Sequence, residues 1–268
     1  MRNLNQKHRI YQLLAISGVF AFMGTVTPVF AEEEAISTDR PDFVESSNTV
    51  GKGRVQIETS VAFERDKLAG VRTTLRSTPT LFRFGVAEKL ELRVETDGAL
   101  SLRENGRTTS GTADTSLGAK WQFVEGDEKA GTPGMAALLH VDLASGSGIF
   151  RGDGTRPSLR WVTEWELPGE VGFGIMPGIF RDTGPRGKFT GLIMAATLSK
   201  GWTEQFRTFV EIAGRQITSN KNGGSFVTFD AGAAYQLSKD MQVDISFSRG
   251  LNERSPDSSV GVGLSIRY

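Results

Sequence analysis

The 268-residue chain contains no cysteine, which removes disulfides, thiolate metal sites, cysteine nucleophiles and lipoprotein acylation together. Histidine is scarce, with two residues, and nine prolines stand against 32 glycines. Net charge is absent as well, because 31 basic side chains balance 31 acidic ones, so nothing marks nucleic acid or another polyanion as the main partner. Long apolar runs are missing beyond the N-terminus. A helical span needs about 20 mostly apolar residues, and a mean hydropathy of −0.23 excludes a polytopic helical membrane protein. No phosphate-binding glycine motif, zinc motif or calcium-loop pattern occurs, and the residues imply no metal ligand, cofactor or catalytic group.

What is present begins with an address. Residues 1–31 combine a basic start (Arg2, Lys7, Arg9), an apolar stretch over 13–22 and the small-residue ending Val29-Phe30-Ala31, the physical grammar of a cleavable signal peptide. Cleavage there leaves 28 basic against 31 acidic side chains, a charge of −3, and makes His140 the only histidine. An exported chain without cysteine fits the bacterial envelope.

Beyond residue 52 the pattern has period two. Leu90, Leu92, Val94 and Thr96 alternate with Glu91, Arg93, Glu95 and Asp97. Leu159, Trp161, Trp165 and Leu167 oppose Arg160, Glu164 and Glu166, and the chain ends on Val260, Val262, Leu264, Ile266 and Tyr268 against Ser259, Gly261, Gly263, Ser265 and Arg267. Twelve such segments can be counted. In two of them, residues 72–84 and 189–199, the facing is not fixed by the pattern, and a change of parity places a bulge near residues 79–82. One face of every clearly phased segment is uncharged and rich in Trp, Phe, Tyr and Leu. The other mixes Gly, Ser and both signs of charge. A soluble sheet also alternates, but strict exclusion of charge from one face is expected where that face meets lipid, since Arg or Lys costs about 2–4 kcal/mol at mid-membrane.

The predicted fold is therefore all-β: a single antiparallel transmembrane β-barrel of twelve strands over residues 53–268, preceded by a signal peptide and by a segment at 32–52 that is either periplasmic or a lumen plug. Connections agree. The outer loops fall near 66–70, 98–112, 145–155, 181–188, 214–225 and 249–258. The inner turns near 86–89, 168–170, 200–204 and 238–240 are short, with 124–134 the longer exception. Trp121, Phe123, Trp165, Trp202, Tyr235 and Tyr268 fall at the periplasmic ends, as an interfacial girdle does.

Several segments resemble the outer-membrane transporter family labelled "putative MetA-pathway of phenol degradation". They are Thr38-Asp39-Arg40-Pro41-Asp42, residues 83–94 (RFGVAEKLELRV), 114–121 (DTSLGAKW), 156–168 (RPSLRWVTEWELP), 243–252 (VDISFSRGLN) and the closing 261–268 (GVGLSIRY). The resemblance spans nearly all of the mature chain. It implies a porin-like barrel in the bacterial outer membrane that passes a small solute, with aromatic or hydrophobic molecules, phenol among them, as the implied class. Leu264, Ile266 and Tyr268 resemble the terminal signal by which the outer-membrane assembly machinery recognises its clients. The implied partners are thus the lipid bilayer, that machinery and a small-molecule solute.

Charged side chains on the inner face form the candidate site. Glu91, Arg93, Glu95, Asp114, Lys120, Asp142, Arg160, Glu164, Arg207, Glu211, Asp230 and Asp244 are expected to line the lumen, either as selectivity groups or as salt-bridge ladders. Twelve strands about 4.8 Å apart and tilted about 40° give a backbone radius on the order of 12 Å, so any pore is narrow. Asp39, Arg40 and Asp42 are the residues expected to enter the lumen if the N-terminal segment is a plug. His140 beside Asp142 has no serine at useful spacing, and Arg151-Gly152-Asp153 reads as a chance tripeptide in a loop. The competing classes are a barrel enzyme acting on lipid, a structural barrel without transport and a soluble sandwich.

Overall fold

The computed structural model describes residues 35–268, apart from 69, 185 and 186. The signal-peptide expectation for residues 1–31 lies outside the described residues.

Period-two alternation becomes fifteen strands: β1 (Val55–Leu68), β2 (Val71–Ser77), β3 (Thr80–Ala87), β4 (Leu90–Thr96), β5 (Ala99–Glu104), β6 (Arg107–Thr112), β7 (Thr115–Val124), β8 (Gly134–Leu143), β9 (Arg156–Leu167), β10 (Val171–Gly184), β11 (Gly187–Gly201), β12 (Phe206–Ile217), β13 (Phe226–Ser238), β14 (Met241–Gly250) and β15 (Ser258–Arg267). The pairs β2/β3, β4/β5 and β6/β7 are each one stave with a two-residue interruption. All pairings are antiparallel, and β15 returns to β1 in register from Gln56↔Arg267 to Arg65↔Ser258. The result is a closed wall of twelve staves. Closure leaves no unpaired edge within the lipid-facing band, where an unsatisfied backbone group costs several kcal/mol.

Register corrects one sequence expectation. β1 holds the same phase against β2 and β3, with Ala62↔Ser77 and Thr59↔Thr80, so there is no bulge near residues 79–82 on that side. Pro79 lacks an N–H but still accepts from the Ser60 N–H at 2.9 Å. The extra residue sits on the neighbouring stave: three residues separate Arg76 from Thr80, whereas four separate their partners Ser101 and Thr96. Gly98, at φ +68°, supplies the left-handed conformation this bulge needs.

The two undecided segments also acquire a facing. In β3 Leu81 and Arg83 are buried while Phe84 and Val86 are exposed. In β11 Ile193, Ala195 and Thr197 turn inward, and Leu192, Met194 and Leu198 turn outward. The expected outer loop at 98–112 is instead a hairpin of β5 and β6 closed by Asn105 (φ +48°) and Gly106 (φ +80°). Asn-Gly between two short segments is the signal for such a turn, and the Thr/Ser-rich β6 suits a strand that is polar on both faces.

The outer surface carries the exposed apolar side chains, among them Leu92, Leu117, Leu139, Leu159, Ile212 and Val262. Near the short turns the aromatics gather. Phe123 packs between Trp121 and Trp161 at ring separations of 5.6 and 4.5 Å, Trp165 stacks on Phe173, and Trp202, Tyr235 and Tyr268 are exposed. This is the interfacial belt of a membrane barrel.

Candidate functional site: the lumen

Residues 35–54 carry almost no regular structure, so their backbone groups must find partners elsewhere. They find them on the inner wall. Glu58 of β1 accepts from the Asp39 and Arg40 N–H groups, each at 3.0 Å. Glu211 of β12 accepts from Phe43 and Val44 at 2.9 and 2.7 Å, Glu164 of β9 from Ser47, and Glu91 of β4 from Val50 at 3.0 Å. Wall cations take the carbonyls. Arg83 of β3 donates to the Ser37 and Asn48 carbonyls, Lys120 of β7 to Ser46, and Arg207 of β12 to Arg40, at 2.7 to 3.0 Å. Four carboxylates and three cations from six staves thus hold this N-terminal strap by its main chain.

Side chains of the strap complete the network. Asp39 lies at its centre, 2.7 Å from Arg93 and from Lys120 and 3.7 Å from Arg83, all of them buried. Burial alone would raise the Asp39 carboxyl, yet Arg83, Lys120 and Arg93 together hold it far below the ordinary carboxylate range. Glu45 meets Arg160 at 2.6 Å and Arg93 at 2.7 Å. Its carboxyl is also lowered, the cations outweighing burial and the repulsion of Asp39. Arg40 reaches Asp244 of β14 at 2.9 Å, and Asp42 faces Arg207 at 3.6 Å with its carboxyl raised by burial.

An apolar patch lies on the same inner face. Ala136, Leu138, Val162, Met176, Ala195 and Ala213 are fully buried, with Val44 of the strap among them and Phe43 packed alongside. The Phe43 ring faces the Arg215 guanidinium at 4.5 Å and that of Arg160 at 5.7 Å, within cation–π range.

The sequence-derived residues divide into two groups. Glu91, Arg93, Lys120, Arg160, Glu164, Arg207, Glu211 and Asp244 all touch the strap. Among the described residues Asp114, Asp142, Glu95 and Asp230 make no such contact. Asp114 accepts from the Gly146 and Gly152 N–H groups at 2.7 and 3.0 Å and pairs with Arg156 at 2.8 Å, which folds the 145–155 loop against the end of the wall. Asp142 faces the same Arg156 at 3.5 Å, not His140. His140 lies 3.9 Å from Glu95, and neither ring nitrogen has a hydrogen-bond partner among the described residues. Asp230 pairs with Arg215 at 3.1 Å. Glu166, expected inward, is exposed at the rim. Leu264 and Ile266 lie in β15, where Leu264 pairs with Thr59 and Ile266 with Ile57, and Tyr268 donates its N–H to Val55.

Arg83, Phe43, Glu45 and Arg215 were not singled out from the sequence, Arg215 because it falls within the expected outer loop at 214–225. Arg83 was hidden by the undecided facing of its strand, although Phe82, Phe84 and Val86 alternate with it. Phe43 and Glu45 lie in a segment without periodicity and carry no local signal.

A closed strand wall, apolar and aromatic outside and charged inside, is that of an outer-membrane β-barrel of the porin type. The chain belongs to the family described as "Putative MetA-pathway of phenol degradation", which it matches over residues 38–268. Among solved structures it is similar to the COG4313 outer membrane channel from Pseudomonas putida F1, with 10% identity, 83% of this chain and 98% of that one covered, and a TM-score of 0.63. It is also similar to the KdgM porin, with 11% identity, coverage of 79% and 98%, and a TM-score of 0.50. At these identities the likeness is one of fold. No curated protein sequence matches this chain.

Proposed function

We propose that the chain is a passive channel of the outer membrane for a small aromatic or hydrophobic solute, with residues 35–54 acting as a plug that must shift before the lumen conducts. The observation that carries this reading is the Phe43 ring, seated against a buried apolar patch and flanked by Arg160 and Arg215. A lumen that accommodates the ring of its own chain offers the same surface to the ring of a solute. The family and the fold shared with a channel and a porin support passage as the activity. Chemistry on lipid is the weaker reading, since His140 and Asp142 face different partners and form no relay.

Reconstitution tests the proposal. The full chain should give small conductance in planar bilayers, and deletion of residues 32–50 should raise it several-fold while heat-modifiable gel mobility reports an intact barrel. Unchanged current on deletion ends the plug, and no solute flux from either protein ends the channel. Assembly is proposed to depend on Tyr268 with Leu264 and Ile266. A Tyr268→Ser variant should give less heat-modifiable barrel in cells, and an undiminished yield removes that role.

A further inference from the structure

The outward face changes character at the extracellular end of one side of the wall. Strand register places Arg249, Ser258, Arg65, Thr74, Arg103 and Thr108 in a single cross-strand row over β14, β15, β1, β2, β5 and β6. Cross-strand partners share a face, so the row alternates guanidinium and hydroxyl across six strands. Its outward facing is fixed by period two: Arg65 follows the exposed Val61 and Phe63, and Arg249 follows the exposed Ile245 and Phe247. Three more cations adjoin it, with Arg76 beside Phe63 in the row below and Lys67 paired with Arg72 in the row above.

Three properties set this patch apart. All six cations (Arg65, Lys67, Arg72, Arg76, Arg103, Arg249) are exposed. None is bridged to a carboxylate among the described residues, in contrast to the paired arginines of the lumen. Among the described residues of these strands no carboxylate shares the outward face, because Glu64 and Asp66 of β1 and Glu104 of β5 alternate to the other side. Directly below, Phe247, Val260 and Phe63 form one row of the apolar band. Phe63 stands eight residues beyond Val55, at the inner end of β1, a rise of roughly 20 Å for a tilted strand, so the cations begin about where a lipid-facing band of roughly 25 Å ends.

Unpaired cations packed side by side repel one another, and this arrangement is favourable when anions lie between them. Arginines two strands apart, about 10 Å between backbones, with a hydroxyl between, bracket one phosphate: each guanidinium offers paired N–H donors and the hydroxyl a further one. We propose that this row is a binding site for the phosphate groups of the glycolipid headgroups in the extracellular leaflet, and that it fixes the depth and the annular lipid of this side of the barrel.

The test uses the full chain in detergent micelles, titrated with a bisphosphorylated diglucosamine lipid or with its dephosphorylated counterpart, and read by native mass spectrometry. The wild type should retain the phosphorylated lipid at least tenfold better than the dephosphorylated one. The quadruple variant Arg65→Gln, Arg76→Gln, Arg103→Gln, Arg249→Gln should lose that preference while keeping its heat-modifiable mobility. Should that variant fail to fold, Arg65→Gln and Arg103→Gln singly should each lower retention about threefold. Inorganic phosphate at millimolar concentration separates the two sources of the chemistry: competition equal to that of the lipid would mean a free-anion site and overturn the headgroup assignment. Equal retention of both lipids by the wild type, or undiminished retention by the variants, overturns the site.

Discussion

The strap end and the loop end of the lumen use the same residue types to opposite effect. Around the strap, Arg83, Arg93 and Lys120 are almost wholly buried, and each reaches Asp39 or a wall carboxylate within 3.1 Å. At the loop end Asp142 and Glu95 keep more than a third of their side-chain surface; Asp142 stands 3.5 Å from Arg156, and Glu95 faces only an imidazole, that of His140, at 3.9 Å. Solvation explains the difference. Burying an ion costs several kcal/mol unless partners replace water, and the strap supplies those partners from a different part of the chain. Asp142 and Glu95, which no strap covers, stay wet and contribute little.

The sharpest way to break the contrast is to remove its centre. Asp39→Asn leaves three buried cations short of a counter-charge and should destabilise the strapped state by roughly 3–5 kcal/mol. The readout is a lower heat-modifiable transition together with higher bilayer conductance. Adding Lys120→Gln to that variant should recover part of the loss, and a transition identical to wild type would refute the central role of Asp39. A smaller, local effect is expected at the other end. Asp114→Asn loosens its hydrogen bonds to Gly146 and Gly152 at about 1–2 kcal/mol, exposing Arg151 to trypsin on intact vesicles while the heat transition stays within a few degrees. Unaltered cleavage would mean that Asp114 does not hold the loop.

The smallest change is expected from acid. Asp39, facing Arg83, Arg93 and Lys120, and Glu45, facing Arg93 and Arg160, both have carboxyls lowered in the folded state. Groups shifted this way contribute stability that is fully present above the ordinary carboxylate range, near 4, and is lost as pH falls through their depressed values. Conductance corrected for bulk electrolyte should therefore hold steady from pH 7 to pH 5 and rise only at lower pH. A several-fold rise between 7 and 5 would place the release of the strap on other groups.

Legibility in the sequence followed the period of the side chains. Strict alternation in β4, β9 and β15 made the wall, its lipid face and twelve of its inward charges readable, because lipid tolerates no exception on one face. β3 was ambiguous since the irregular stretch at 77–80 interrupts the pattern, and Arg83, the residue with the most strap contacts, was hidden with it. The bulge lies on the neighbouring stave and not where the parity changes, because register is a property of two strands and not of one. β5 and β6 looked like a loop for want of apolar residues, which a hairpin standing beyond the lipid band does not need.

Sequence alone determined that one face of every clearly phased strand avoids charge, that the strands must close on themselves and that both signs of charge would share the interior, with acidic residues outnumbering basic ones eight to four among the candidates. Those are consequences of a solvent, lipid, acting on each side chain separately. Only the tertiary structure decided which charges meet. Asp39 stands 54 and 81 positions from Arg93 and Lys120, Arg40 stands 204 from Asp244, and no periodicity links a strap without secondary structure to the staves it touches. The same holds on the outer surface, where residues as distant as Arg65, Arg103 and Arg249 fall into one row only because the barrel closes β15 against β1.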